Sequence, residues 1–138
     1  MSATGRAEAA LLFDGGSLGN PGQAYGSFRL QLPGGRLSPP RRLRFGHGTN
    51  NEAEYLALIA GLERLHRELR SAGVDPGGLR LTVSGDSRLV VNQVKGAWKV
   101  RNTRLKELHA HARRLLAPIG EVELRQHPRR VSVRALGH

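Results

Sequence analysis

Asp14, Glu54 and Asp86 are the side chains whose types and setting point to chemistry in this 138-residue chain. Asp14 stands in "LLFDGGSLGNPG", where an apolar run that reads as a buried strand meets a carboxylate, a costly place for one. Glu54 falls in the first turn of a helix pattern, and Asp86 follows a second apolar run, "LRLTVSGD". Taken singly, each has an ordinary reading as a turn former or a helix N-terminal acid. If the two strands lie side by side and parallel, both aspartates emerge at the carboxyl ends of neighbouring strands, where open α/β sheets build their sites. A helix start packed over that end adds Glu54. Carboxylates brought together repel unless a cation sits among them. All-oxygen ligation is the chemistry of magnesium or manganese, and two such ions about 4 Å apart clamp a phosphodiester for hydrolysis.

The elements that must position these acids are legible from periodicity. Ala9 to Phe13 reads as a strand ending at Asp14, and "GGSLGNPGQ" as the loop after it. Ala24 to Leu32 alternates with period two, and Arg41 to Gly46 follows the turn-rich "PGGRLSPP", which gives an antiparallel meander. The period then changes. Tyr55, Leu58, Ile59, Leu62, Leu65 and Leu69 form one helical stripe, with Asn50 or Asn51 as N-cap and Gly73 as stop. Leu79 to Ser84 reads as the fourth strand. Helices follow at about Arg88–Val94 and Thr103–Ala117, then a last strand at Glu121–Gln126. The order β-β-β-α-β-α-α-β implies a mixed α/β sheet whose later strands run parallel through helical crossovers.

Composition narrows the partners. The length suits a single domain over 1–138 with one core, the ends 1–8 and about 129–138 being expected to be flexible. Cysteine is absent, which excludes disulfides and thiolate chemistry. No apolar run approaches a membrane span and the first residues lack a signal-peptide pattern, so no membrane partner and a soluble intracellular protein are expected. Lys and Arg total 22 against 11 acids. From Lys95 onward eleven basic residues face only Glu107, Glu121 and Glu123. Such an excess attracts polyanions, phosphate backbones above all. A coding bias accounts for arginine over lysine but not for basic over acidic.

"FDGGSLGNPGQAYGSF" (13–28), "TNNEAEYLALIAGL" (49–62) and "VSGDSRLVVNQVKGAWKVRN" (83–102) occur in an order and at intervals that resemble the type I ribonuclease H family. The resemblance, to the short form without a basic protrusion, implies a ribonuclease H-like fold with a five-stranded sheet in the order 3-2-1-4-5. The first three strands would be antiparallel and helices would flank the sheet, the C-terminal one missing or minimal. It implies an endonuclease that cuts the RNA strand of RNA–DNA hybrids with two Mg2+ or Mn2+ ions, leaving 3′-hydroxyl and 5′-phosphate ends, as a cytoplasmic monomer. Asp14 would bridge both ions, with Glu54 and Asp86 on the leaving-group side, and Glu54 at the position that contacts a ribose 2′-hydroxyl.

The same resemblance implies nucleic-acid contacts at Gly15, Gly16, Ser17, Asn20, Asn50 and Asn51, and from Arg88, Lys95, Trp98, Lys99, Arg101 and Asn102. Arg88 replaces a common glutamine and suits a phosphate. Trp98 either packs into the core or stacks on the nucleic acid. His109 and His111 read as surface residues.

The tail departs from the family pattern, in which a fourth carboxylate follows a Pro-Arg-Glu-x-Asn-x-x-Ala segment. Here "QHPRRVSVRALGH" places Leu136 at that position and no acid follows Glu123. The site then either works with three carboxylates, or recruits His127 or His138, or belongs to an altered tail. The alternative function is a hybrid-binding module with weak or no catalysis.

Overall fold

The structure is a computed structural model and describes residues 6–137. Its strands are β1 (Ala7–Leu18), β2 (Gly22–Gln31), β3 (Arg41–Gly48), β4 (Leu79–Gly85) and β5 (Glu121–Gln126). Its helices are α1 (Asn50–Ala72), α2 (Arg88–Lys95), α3 (Thr103–Leu116) and α4 (Arg129–Leu136). The sheet order is β3-β2-β1-β4-β5, with β1–β2 and β2–β3 antiparallel and β1–β4 and β4–β5 parallel. This is the sheet expected from the sequence.

The hydrophobic cluster lies between the sheet and α1, α2 and α3. The stripe on α1 supplies Tyr55, Leu58, Leu62, Leu65 and Leu69, all buried, against Leu11, Phe13, Phe28 and Leu30 of the central strands. Burial of each such side chain contributes about 1.5–3 kcal/mol. Gly73 ends α1 in the left-handed region, with φ 69°, and its N–H donates to Leu69 and Arg70 carbonyls.

Several local expectations need correcting. β1 does not end at Asp14: it pairs with β2 as far as Leu18↔Gln23, so Gly15, Gly16 and Ser17 are strand residues and not loop. The glycines obscure this, since β-propensity penalises a residue that the close packing here requires. The N-cap of α1 is Thr49, not Asn50 or Asn51. Its hydroxyl accepts from Glu52 N–H while the Glu52 carboxylate accepts from Thr49 N–H, a reciprocal capping box.

The segment after 128 forms a helix through Leu136 and is not a loose tail, and residues 7 and 8 belong to β1. The final helix has the minimal form, eight residues packed on β1 and β2, with Ser132 and Leu136 buried beneath it.

Candidate active site

β4 pairs with β1 only as far as Phe13↔Gly85. Beyond that register β1 continues alone on this side, and Asp14 stands at the opening, one residue past the last pair. Asp86 follows β4 directly, and the first turn of α1 reaches in with Glu54. One oxygen of each carboxylate lies within 4.8 Å of the others. Asp14 is 0 % and Glu54 6 % exposed, and Asp86 is half-buried.

Backbone approach makes this convergence possible. A Cβ built on Gly15 would sit 2.5 Å from the carbonyl carbon and oxygen of Ala53, so only glycine lets the start of α1 come so near. The Gly15 N–H donates to Glu54 Oε1 at 3.1 Å, which fixes the carboxyl group. Glu54 Oε2 is buried without a donor. Desolvation, reinforced by the neighbouring Asp14, pushes the Glu54 carboxyl up to about 10, despite the opposing pull of the Gly15 N–H. Such a group holds its proton at neutral pH until a cation arrives.

One cation already reaches the cluster. Arg129 Nη1, from the first turn of α4, lies 2.7 Å from Asp14 Oδ2 and 3.2 Å from Asp86 Oδ2. The sequence reading missed it as a site residue. Its place after Pro128 suits a helix start, but no local pattern ties that start to the acids.

The position aligned with a fourth acid, Leu136, is 1 % exposed and packs outside the main apolar cluster. His127 is not among the grouped ligand atoms. Its backbone N–H donates to Gly85 O, and its Nε2 lies 2.8 Å from Ser132 Oγ. Burial pushes its pKa down, against the pull of Asp86 and Asp14. His138 lies outside the described residues.

Among the other candidates, Ser17 Oγ is within hydrogen-bond reach of Gly48 O, at 2.8 Å, and of Gly19 O, and so ties the β1–β2 hairpin to the end of β3. Asn20 Oδ1 accepts from Asn50 N–H at 3.1 Å, which joins that hairpin to the start of α1. Gly16 packs against the Tyr25 ring, and Asn50 and Asn51 are exposed.

Trp98 is 41 % exposed and not part of the core, and the Arg88 guanidinium lies 5.6 Å from its ring centre. Lys95 ends α2, Lys99 and Arg101 lie on the α2–α3 connection, and all three are exposed. Asn102 is the N-cap of α3 and accepts from Leu105 N–H. Behind this connection the Tyr55 hydroxyl donates to Gln93 Oε1 at 2.7 Å, and Gln93 Nε2 donates to Lys99 O. His109, expected at the surface, instead packs edge-on against Tyr55 with its Nε2 3.0 Å from Gln93 O.

Three buried or half-buried carboxylates, hard oxygen donors crowded together with one guanidinium on two of them, fit a divalent cation. Residues 42–135 match a family described as reverse transcriptase-like. The chain is 37 % identical over 123 residues to ribonuclease HI of Halobacterium salinarum, an alignment covering 89 % of this chain and 58 % of that protein. The crystal structure of RNase H1 from the same archaeon superposes with a TM-score of 0.78 at 34 % identity, over 93 % of this chain and 91 % of that one. LC11-RNase H1 in complex with an RNA/DNA hybrid superposes with a TM-score of 0.77 at 31 % identity, over 92 % and 90 %.

Proposed function

The chain belongs to the type I ribonuclease H family, and from that membership we propose that it is a divalent-metal-dependent endonuclease that hydrolyses the RNA strand of RNA–DNA hybrids, leaving 3′-hydroxyl and 5′-phosphate ends. The observation that carries the proposal is the convergence of Asp14, Glu54 and Asp86 within 4.8 Å at the open end of β1 and β4.

Asp14, Glu54 and Asp86 would hold Mg2+ or Mn2+. The ions would supply Lewis acidity, lowering the pKa of the attacking water and neutralising the leaving oxygen. The protein's part is positioning. Gly15 N–H orients Glu54 so that its carboxyl is ready to exchange a proton for metal. Arg129 offsets the charge of Asp14 and Asp86, and its exposed guanidinium would be within reach of a phosphate bound beside them.

Recognition is assigned to flanking groups. Asn20 at the hairpin tip and Asn50 at the start of α1, joined by a hydrogen bond, would offer polar groups to the nucleic acid. Exposed Trp98, with Arg88, Lys95, Lys99 and Arg101, offers an aromatic face and cations for the DNA strand. Glu54 would contact a ribose 2′-hydroxyl.

The direct test is Asp14→Asn. The wild-type chain should bind Mg2+ calorimetrically and cut a labelled hybrid, and the variant should lose both. Undiminished cleavage by the variant would remove the metal assignment.

A further inference from the structure

A second cationic surface lies away from Trp98. Strand pairing places Asp14 opposite Ser27, and Ser27 opposite Arg42. Residues in one cross-strand row point to the same face of a sheet. Arg42 therefore shares the face of Asp14, two strands out, which is about 10 Å at the usual strand spacing. The next row on that face runs from Gly16 through Tyr25 to Arg44.

α4 continues this surface. It starts at Arg129, on the carboxylates, and ends at Gly137, where a Cβ would meet Arg42 Nη2 at 2.6 Å. Arg130 and Arg134 are exposed one turn apart along it. Among the described residues no carboxylate pairs with Arg42, Arg44, Arg130 or Arg134. Two arginines of β3 and two of α4 thus adjoin the helix that runs from the carboxylate centre to Arg42.

We propose that Arg42, Arg44, Arg130 and Arg134 form a phosphate-binding strip that holds the backbone of the nucleic acid flanking the cleaved bond. The inference rests on the hybrid-cutting function and extends it to a longer footprint. Charge on an edge strand also blocks edge-to-edge association, and Arg42 beside the C-terminus of α4 suits that helix dipole. Neither role needs four arginines without acidic partners on two adjoining elements. Guanidinium groups that reach a duplex release counterions, so the strip leaves a signature in salt dependence.

The test uses a hybrid of about three helical turns (~30 base pairs), with Mg2+ binding by the free protein as the control for the centre and the fold. Binding is measured over a salt series for the wild type, for the fourfold Arg→Gln variant and for the fourfold Arg→Lys variant. Each lost phosphate contact should lower the slope of log K against log salt by about 0.9. The Gln variant should therefore lose about 2–4 units of slope and bind at least about tenfold more weakly at low salt. The Lys variant should retain most of both, and all three should bind Mg2+ alike. Equal slopes for the wild type and the Gln variant would overturn the strip alone. So would weakened Mg2+ binding by the Gln variant, which would place the effect in the centre or the fold. A wild-type chain that neither binds nor cuts the hybrid would overturn the function as well.

Discussion

Arg129 Nη1 lies 2.7 Å from Asp14 Oδ2, so an exposed cation on the last helix neutralises a carboxylate buried in the central strand. Removing it takes away the cation that offsets the charge on Asp14. The Arg129→Gln variant should lose about 1–2 kcal/mol of stability in EDTA, a figure reduced from that of a buried pair because the guanidinium is solvated. In saturating Mg2+ the difference should nearly vanish, because the metal then supplies the positive charge. Thermal melts with and without metal check this, and an equal loss in both conditions would contradict it.

Glu54 sets the pH response of the metal-free protein. Its carboxyl is raised from 4.5 to about 10 by desolvation and by Asp14. Below pH 4.5 both folded and unfolded chains carry the proton. Between 4.5 and about 10 only the folded chain does, so the unfolded state binds fewer protons and stability falls as pH rises. This group alone can contribute a slope of at most about 1.4 kcal/mol per pH unit. In EDTA, the stability lost on going from about pH 5 to about pH 9 should be smaller in Glu54→Gln than in the wild type. Parallel curves would contradict the shift.

Gly15→Ala should disturb the site without touching a carboxylate. The added Cβ would meet Ala53 backbone atoms at 2.5 Å and push back the turn that carries Glu54. A loss of about 1–3 kcal/mol in stability is expected, as for overpacking elsewhere, together with weaker Mg2+ binding by calorimetry. Wild-type affinity for Mg2+ would show that the close approach is not what places Glu54.

Leu136→Asp probes the departure in the tail. A carboxylate at a position 1 % exposed should destabilise the metal-free protein. If the position corresponds to the family's fourth acid, Mg2+ should raise the melting temperature of the variant by more than it raises that of the wild type. Equal increments would separate Leu136 from the metal site.

Much of this arrangement was legible beforehand because it rests on period and order. The stripe from Tyr55 to Leu69 fixed α1, and the two helical crossovers fixed the parallel strands, so Asp14 and Asp86 had to emerge at one end. What was not legible depends on contacts between segments far apart in sequence. Gly15 to Ser17 read as a loop because their strand conformation is stabilised by β2 and required by the nearness of Ala53. Asn50 and Asn51 looked like caps, but Thr49 and Glu52 form the reciprocal pair. Trp98 stays exposed because it belongs to the α2–α3 connection and not to the stripe of either helix. Arg129 joins the acids across 115 residues, a relationship no local pattern encodes.

The central proposal is that the chain hydrolyses the RNA strand of RNA–DNA hybrids with divalent metal held by Asp14, Glu54 and Asp86. A hybrid carrying different labels on its RNA and DNA strands, incubated with excess protein in Mg2+ or Mn2+ and quenched with EDTA, tests it most directly. The expected result is cleavage of the RNA strand alone, with 3′-hydroxyl and 5′-phosphate ends and none in EDTA. A hybrid that is bound but left intact in both metals would contradict it and leave a binding module in its place.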